Sequence, residues 1–482
     1  MLRGQDHVTG TVVVAALGAM AMGIYVIKAA LPFSILTLHQ PLVSFAGVTG
    51  QNVAGVQRYL LTVGLPFVLY AAGFLVLWRW HVSKVVVFAF PLLFGLALFL
   101  VYPLTSLDVF LYGAQGWTLA HGANPLVVPS TTFAANPFLP WAPFVHKPSA
   151  YGPLWVYVSL VCLVVGGGQP IGTLLAFKVI GLVAFLASTL LCYLIGERLR
   201  PGSGVTAAYV LGWNPLALWV TVANAHNDMT MVALILLGCL FLFDRPLLAL
   251  PVIVLAGLVK YAAFLLVPLF FLHLLRRRYP PLRMLLSVGI AVACGWAVLW
   301  PLWAGSATAD GLDQLQHMMT MSPGATIVYW AQSLGYSPDG AGDATRHCMN
   351  ALFAATYVVT LLTITDKVES ALAASFVALF AVLVLATFWF RSWYIVWPLA
   401  IAAVLTAKHI WLAAAGVVFS GVGLLVYLFT DYLWVWYGAE LRLHQYLMAT
   451  VFLPPLLVLC TGSVLYLIQW PRPVIASERV RS

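Results

Sequence analysis

Apolar runs long enough to cross a lipid bilayer recur from Thr11 to Ile468, and few charges interrupt them. A hydrocarbon core about 30 Å thick needs roughly 20 helical residues per crossing, and residues 11–30, 59–78 and 85–104 supply three such runs. Strands that cross membranes alternate apolar and polar side chains. These runs do not alternate, so they can span only as helices, which satisfy every backbone group internally. Composition agrees: 63% of the 482 residues are apolar, 8% are charged and the mean hydropathy is +0.99. A water-soluble globule of this size is excluded.

Further segments fall at 151–165, 172–196, 205–222 and 229–243, then at 247–259 and 261–275 on either side of Lys260. The remainder lie at 285–303, 348–365, 371–388, 393–407, 410–429 and 446–468. The expected fold class is all-α, a polytopic transmembrane helical bundle of about 13 to 15 membrane segments, not all of them full crossings. Cys162, Cys192, Cys239, Cys294, Cys348 and Cys460 show no paired spacing, and they read as small core residues with no disulfide or zinc framework. The first run lacks a small-residue cleavage site and reads as a retained anchor.

Lys and Arg collect at Arg79 and Lys84, at Arg198 and Arg200, at Arg276, Arg277, Arg278 and Arg283, and at Arg472, Arg479 and Arg481. The positive-inside rule places these in the cytoplasm. Loop 304–346 carries Asp310, Asp313, Asp339 and Asp343 against one arginine, and loop 105–150 carries Asp108 and Lys147. Both belong outside. The net charge of +9 then reflects topology and calls for no nucleic-acid partner.

Three apolar segments separate Asp108 from Asp228, so a common face for both requires one of them to stop short. The Gly166–Pro170 and Gly212–Pro215 interruptions are where a broken helix fits, provided it lines a cavity. By the same argument residues 247–275 form two short helices that rise to Lys260 and return.

This map gathers at the outer face Asp108, His121, His146, Lys147, Tyr151, His226, Asn227, Asp228, Lys260, Arg391 and Tyr394. Ionisable groups at a membrane boundary are functional candidates by default. A carboxylate there suits removal of a hydroxyl proton, while Lys and Arg suit a departing phosphate, which they hold by charge-assisted hydrogen bonds. Each has a plainer alternative. Asp108 and the His226-Asn227-Asp228 triplet can cap helices, or the triplet can hold a divalent metal with Asp108. Lys260 can snorkel, and Arg391 sits among aromatic residues typical of an interfacial belt. His121, His146 and Lys147 can be simply solvated, and Tyr151-Gly152-Pro153 can start a helix. Trp117, Trp141 and Trp155 are candidates for stacking on a sugar ring.

The stretch Asp108-Val109-Phe110-Leu111-Tyr112, with Gly122-Ala123-Asn124-Pro125, Tyr151-Gly152-Pro153-Leu154, Asn214-Pro215, His226-Asn227-Asp228 and Gly257-Leu258-Val259-Lys260, resembles the GT-C superfamily of membrane glycosyltransferases. More narrowly it resembles the bacterial polyprenol-phosphate-mannose-dependent α-mannosyltransferases. Leu126 departs from the aromatic residue commoner in those relatives after the proline.

The resemblance implies an inverting transfer of a sugar, mannose first, from a polyprenyl-phosphate donor to a glycan or glycolipid acceptor. The reaction would occur at the extracytoplasmic face of the cell membrane. Asp108 is then the catalytic base, Lys260 and Arg391 bind the donor phosphate, and Tyr112, Asn124, Tyr151, His226, Asn227, Asp228 and Tyr394 bind substrate. No cofactor is expected. Residues 1–275 would form the catalytic module, with loop 105–150, and 276–482 the C-terminal helices, with loop 304–346, in one integrated membrane domain. The rival classes are a lipid-linked oligosaccharide transporter or flippase, and a glycan polymerase or ligase.

Overall fold

The computed structural model describes residues 2–38, 41, 44–438 and 440–469. The C-terminal arginines used above for orientation lie outside them. Among the described residues there are helices and turns but no strand beyond isolated bridges, and the fold is an all-α polytopic bundle.

Among the described residues seven helices are long and apolar enough to cross a membrane: Val8–Ala30, Val53–Arg79, Pro170–Leu199, Pro281–Leu302, Val368–Ala386, Ile410–Tyr437 and Leu441–Leu465. An eighth span is broken, Gly204–Gly212 meeting Pro215–Ala223 at a 54° bend. Local chemistry explains the break. Asn214 accepts hydrogen bonds from the N–H groups of Leu216 and Ala217, capping a new helix whose first position is Pro215. The other apolar segments are shorter helices: Lys84–Phe99, Pro153–Val165, Pro246–Val259, Tyr261–Arg276 and Ser392–Leu405.

Two ends of the bundle can be told apart by their contacts. At one end Arg198 pairs with Asp244, Lys408 with Glu369 at 3.5 Å, and Arg277 donates to the Leu242 carbonyl at 2.6 Å. Arg276 of the same cluster binds the Ile364 carbonyl. At the other end the Gly152 N–H donates to the Val259 carbonyl at 3.1 Å, and Asn124 Nδ2 to the Leu302 carbonyl at 2.7 Å. The chain therefore climbs from Arg245 to Lys260 and descends to Arg276, the rise and return expected for this stretch.

The Asp108–Asp228 puzzle resolves at the first of the three segments. Tyr112 packs on Trp155 at 5.3 Å, and a side chain at Gly116 would collide with the Ser159 carbonyl, so helices Asp108–Ala120 and Pro153–Val165 run parallel, side by side. Phe177 packs against both Tyr112 and Trp155, and Gly168 lies near Trp117, so Pro170–Leu199 descends antiparallel past them. Pro153–Val165, a short apolar helix packed alongside Asp108–Ala120, is thus the segment that stops short, as a common face for the two aspartates requires. At 1.5 Å per residue the 30-residue Pro170–Leu199 helix is about 45 Å long, and its surplus over the membrane core packs on this pair.

Burial divides the cysteines. Cys162, Cys192 and Cys239 are buried, whereas Cys348 and Cys460 are exposed on apolar helices, so the core reading fails for those two. Helix Pro281–Leu302 is the least enclosed of the long helices, and Trp296, Trp300 and Trp303 stand exposed near its end. That pattern is an aromatic belt.

Candidate functional site

At the end of the bundle opposite the arginine cluster lies a cavity of about 330 Å³, bounded by Asp108, Gln115, Tyr151, Lys260, Arg391, Tyr394 and Asp431 among others. Its depth follows from helix length. Asp228 opens a 17-residue helix that ends at Asp244 in the basic end, so the site floor stands about 25 Å above that end. A core about 30 Å thick would put it near the opposite membrane surface.

Asp108 is the first residue of its helix, where the N-terminal backbone dipole favours negative charge. The Tyr151 hydroxyl donates to its Oδ2 at 3.1 Å. Its carboxyl pKa is raised above the ordinary aspartate value because burial outweighs the opposing pull of Arg391, the Tyr151 hydrogen bond and Lys260. Tyr151 in turn is placed by Gly152, whose position under Leu258 leaves no room for a side chain: a Cβ there would sit 2.0 Å from the Leu258 carbonyl oxygen. One close backbone contact therefore couples Tyr151 and Asp108 to Lys260.

Lys260 donates to Asp228 Oδ1 at 2.8 Å, and Trp397 Nε1 donates to the same oxygen at 2.6 Å. The ammonium also lies 4.4 Å from the Tyr394 ring centroid and 5.3 Å from that of Trp397. Asp228 is 1% exposed and is not among the residues that line the cavity; it faces Lys260. Its negative charge is spent on neutralising Lys260 beneath the floor.

Arg391 differs. Among the described residues no carboxylate comes within ion-pair distance of it. Its guanidinium lies 4.7 Å from the Trp389 ring and 5.9 Å from the Trp393 ring, with a long contact to Met321 Sδ at 3.6 Å. A planar, permanently charged group held on aromatic faces at a cavity wall is suited to an anion.

His226 and Asn227 form a second layer. His226 stacks on Trp393, with centroids 4.0 Å apart, and burial, with the nearby Lys260 and Arg391, pushes its imidazole pKa well below the ordinary histidine value. Tyr112 Oη contacts His226 Nδ1 and Asn227 Oδ1, each at 3.4 Å. Tyr112, His226 and Asn227 are buried and absent from the cavity wall, so they shape it without facing its contents. Ala225, directly before them, adopts φ +55°, a left-handed conformation unusual for a residue with a Cβ.

Asn124 lies elsewhere. Its amide donates to the Leu302 carbonyl and its oxygen accepts from the Leu126 N–H at 3.0 Å, so both polar ends serve the loop. Trp117 stacks on His121, Trp141 packs on Phe110, and Trp155 is buried, so none of the three faces the cavity. Trp389 and Trp393 do. Lys147 lines the wall as well, whereas His121 and His146 do not.

The comparisons with known proteins bear on this geometry. The family described as alpha-(1->6)-mannopyranosyltransferase, N-terminal domain, matches residues 8–276, more than half of the chain. The chain belongs to this family. A stretch of 148 residues is 27% identical to alpha-(1->6)-mannopyranosyltransferase B of Corynebacterium glutamicum, covering 29% of this chain and 24% of that protein. The match thus spans about a quarter of the relative's length.

Asp108, Tyr151, Asp228 and Lys260 fall inside the mannopyranosyltransferase-family segment, while Arg391, Tyr394 and Asp431 reach the same cavity from beyond it. The site is therefore built by both halves of the chain. Two charges at this end escaped the sequence reading. Asp431 directly follows the 410–429 run, and Lys178 sits within the 172–196 run. Buried Lys178 donates to the carbonyls of Val222 and Ala223 at 2.8 and 2.6 Å, holding the end of the broken span just ahead of His226. A rare charge within an apolar run, for Lys178, and just past the end of one, for Asp431, was the available signal. No group of three or more His, Cys, Asp or Glu side chains able to hold a metal occurs among the described residues.

Proposed function

We propose that the protein is an inverting glycosyltransferase that moves a mannosyl unit from a polyprenyl-phosphate donor to a glycan or glycolipid acceptor at the extracytoplasmic face of the cell membrane. The observation that carries the reading is the juxtaposition of Asp108 with Arg391 in one cavity. The first is a carboxylate that accepts a hydrogen bond from Tyr151, and the second is a guanidinium with no carboxylate partner among the described residues. Family membership supports mannosyl transfer. The concentration of arginines at the far end supports the outward orientation.

In this mechanism Asp108 takes the proton of an acceptor hydroxyl as that oxygen attacks the anomeric carbon. The new C–O bond forms as the bond from carbon to phosphate oxygen breaks, and the electron pair leaves with the phosphate. Arg391 stabilises the charge that develops there. Lys260 has given one of its three N–H groups to Asp228, so it contributes field and remaining donors at the floor. The apolar wall of Leu104, Leu107, Leu111 and Phe144 suits the first isoprene units of a lipid carrier.

Purified protein in liposomes, given labelled polyprenyl-phosphate-mannose and a glycolipid acceptor, tests this. Asp108→Asn is expected to cut transfer by about 10²–10⁴-fold, the range for loss of a general base, with unchanged thermal unfolding. Translocation of the lipid without transfer would overturn the reading.

A further inference from the structure

Asp431 is a third carboxylate in the cavity wall, and no function has been assigned to it above. It lies near the end of the apolar Ile410–Tyr437 helix, within a π-helical turn at Phe429–Leu433. Such turns insert one extra residue and re-aim side chains, frequently at functional sites. An ionisable group so placed costs stability unless it has a use. Its Oδ1 accepts a hydrogen bond from Thr430 Oγ1 at 2.9 Å, and both residues line the cavity. Arg391 shares the cavity wall with Asp108 and Asp431 and feels the charge of both, yet pairs closely with neither.

We propose that Asp431, oriented by Thr430, binds hydroxyl groups of the sugar being transferred, and so forms the donor-sugar subsite beside the phosphate held by Arg391. The inference rests on the function proposed above. A carboxylate next to an anion-binding guanidinium repels a phosphate but accepts hydrogen bonds from hydroxyls. A sugar esterified to that phosphate necessarily brings its hydroxyls within a few bonds of Arg391. Asp108 remains free to take the proton of the acceptor hydroxyl. The charge-assisted hydrogen bonds are the strong kind and fix the ring's orientation.

Binding separates this from its alternatives. Tryptophan fluorescence, with Trp389 and Trp393 in the wall as reporters, is followed as detergent-solubilised full-length protein is titrated with short-chain polyprenyl-phosphate-mannose or with bare polyprenyl phosphate. Asp431→Asn is expected to weaken the sugar-bearing lipid by about 10-fold or more, as for loss of a hydrogen bond to a charged group, while bare lipid phosphate binds at least as tightly as in wild type, the repulsion being relieved. Thr430→Val, which keeps the carboxylate and frees its orientation, is expected to weaken it in the same sense and less. Equal loss for both lipids, or no loss for either, would overturn the subsite. Wild type that prefers the sugar-bearing lipid but transfers nothing would instead sink the proposed function and leave the subsite standing.

Discussion

Asp108 and Asp228 both open helices, yet their surroundings give them opposite fates. Asp228 is locked by Lys260 and Trp397 beneath the floor, whereas Asp108 is held by one tyrosine and faces the cavity. Burial raises the Asp108 pKa, and only its deprotonated form can accept a proton. Transfer therefore falls as pH drops through that raised value, and the acid limb of kcat/KM is expected above the ordinary aspartate range. Tyr151 donates to the charged form and favours it, so Tyr151→Phe is expected to move the limb further upward. A downward move, or none, would contradict the assignment. Most of these residues were legible in the sequence because charges are rare in apolar runs. Their pairing was not, since the Asp228–Lys260 contact joins helices whose packing no local pattern encodes. Asn124 shows the converse, a motif residue whose amide is consumed by its own loop.

The short helices at the site are set by backbone contacts. Gly152 admits the end of Pro246–Val259 so closely that Gly152→Ala must part the two strands of backbone, at about 1–3 kcal/mol for an overpacked position. The variant is expected to unfold at lower temperature and to lose transfer, as Tyr151 and Lys260 separate. Gly23→Ala is the matched control, because nothing lies within 4 Å of the added methyl. A Gly152→Ala protein as stable and active as that control would show that the contact is not needed. The helices themselves were readable from apolar runs, and the Asn214-Pro215 break from its capping chemistry. The role of Pro153–Val165 was legible in part: the charge map required one of the segments between Asp108 and Asp228 to stop short, and the packing along Asp108–Ala120 shows which one.

At the level of the whole molecule, the two ends predict an orientation. Ala135, exposed in the loop above the cavity, and Lys367, exposed beside the arginine cluster, are suitable cysteine positions in a background lacking Cys348 and Cys460. A membrane-impermeant maleimide is expected to label Ala135→Cys in intact cells and Lys367→Cys only after permeabilisation. The reverse pattern would turn the protein over and remove the extracytoplasmic site.

The floor at Lys260, backed by Asp228 and Trp397, has a kinetic side as well. The described residues that line the cavity belong to the end opposite the arginines, so the chamber serves one membrane face. In the proposed reaction the spent carrier is released on the same face at which its loaded successor arrives. Discharged and loaded carrier then compete for one chamber, and a membrane crowded with discharged carrier slows the enzyme by occupancy alone.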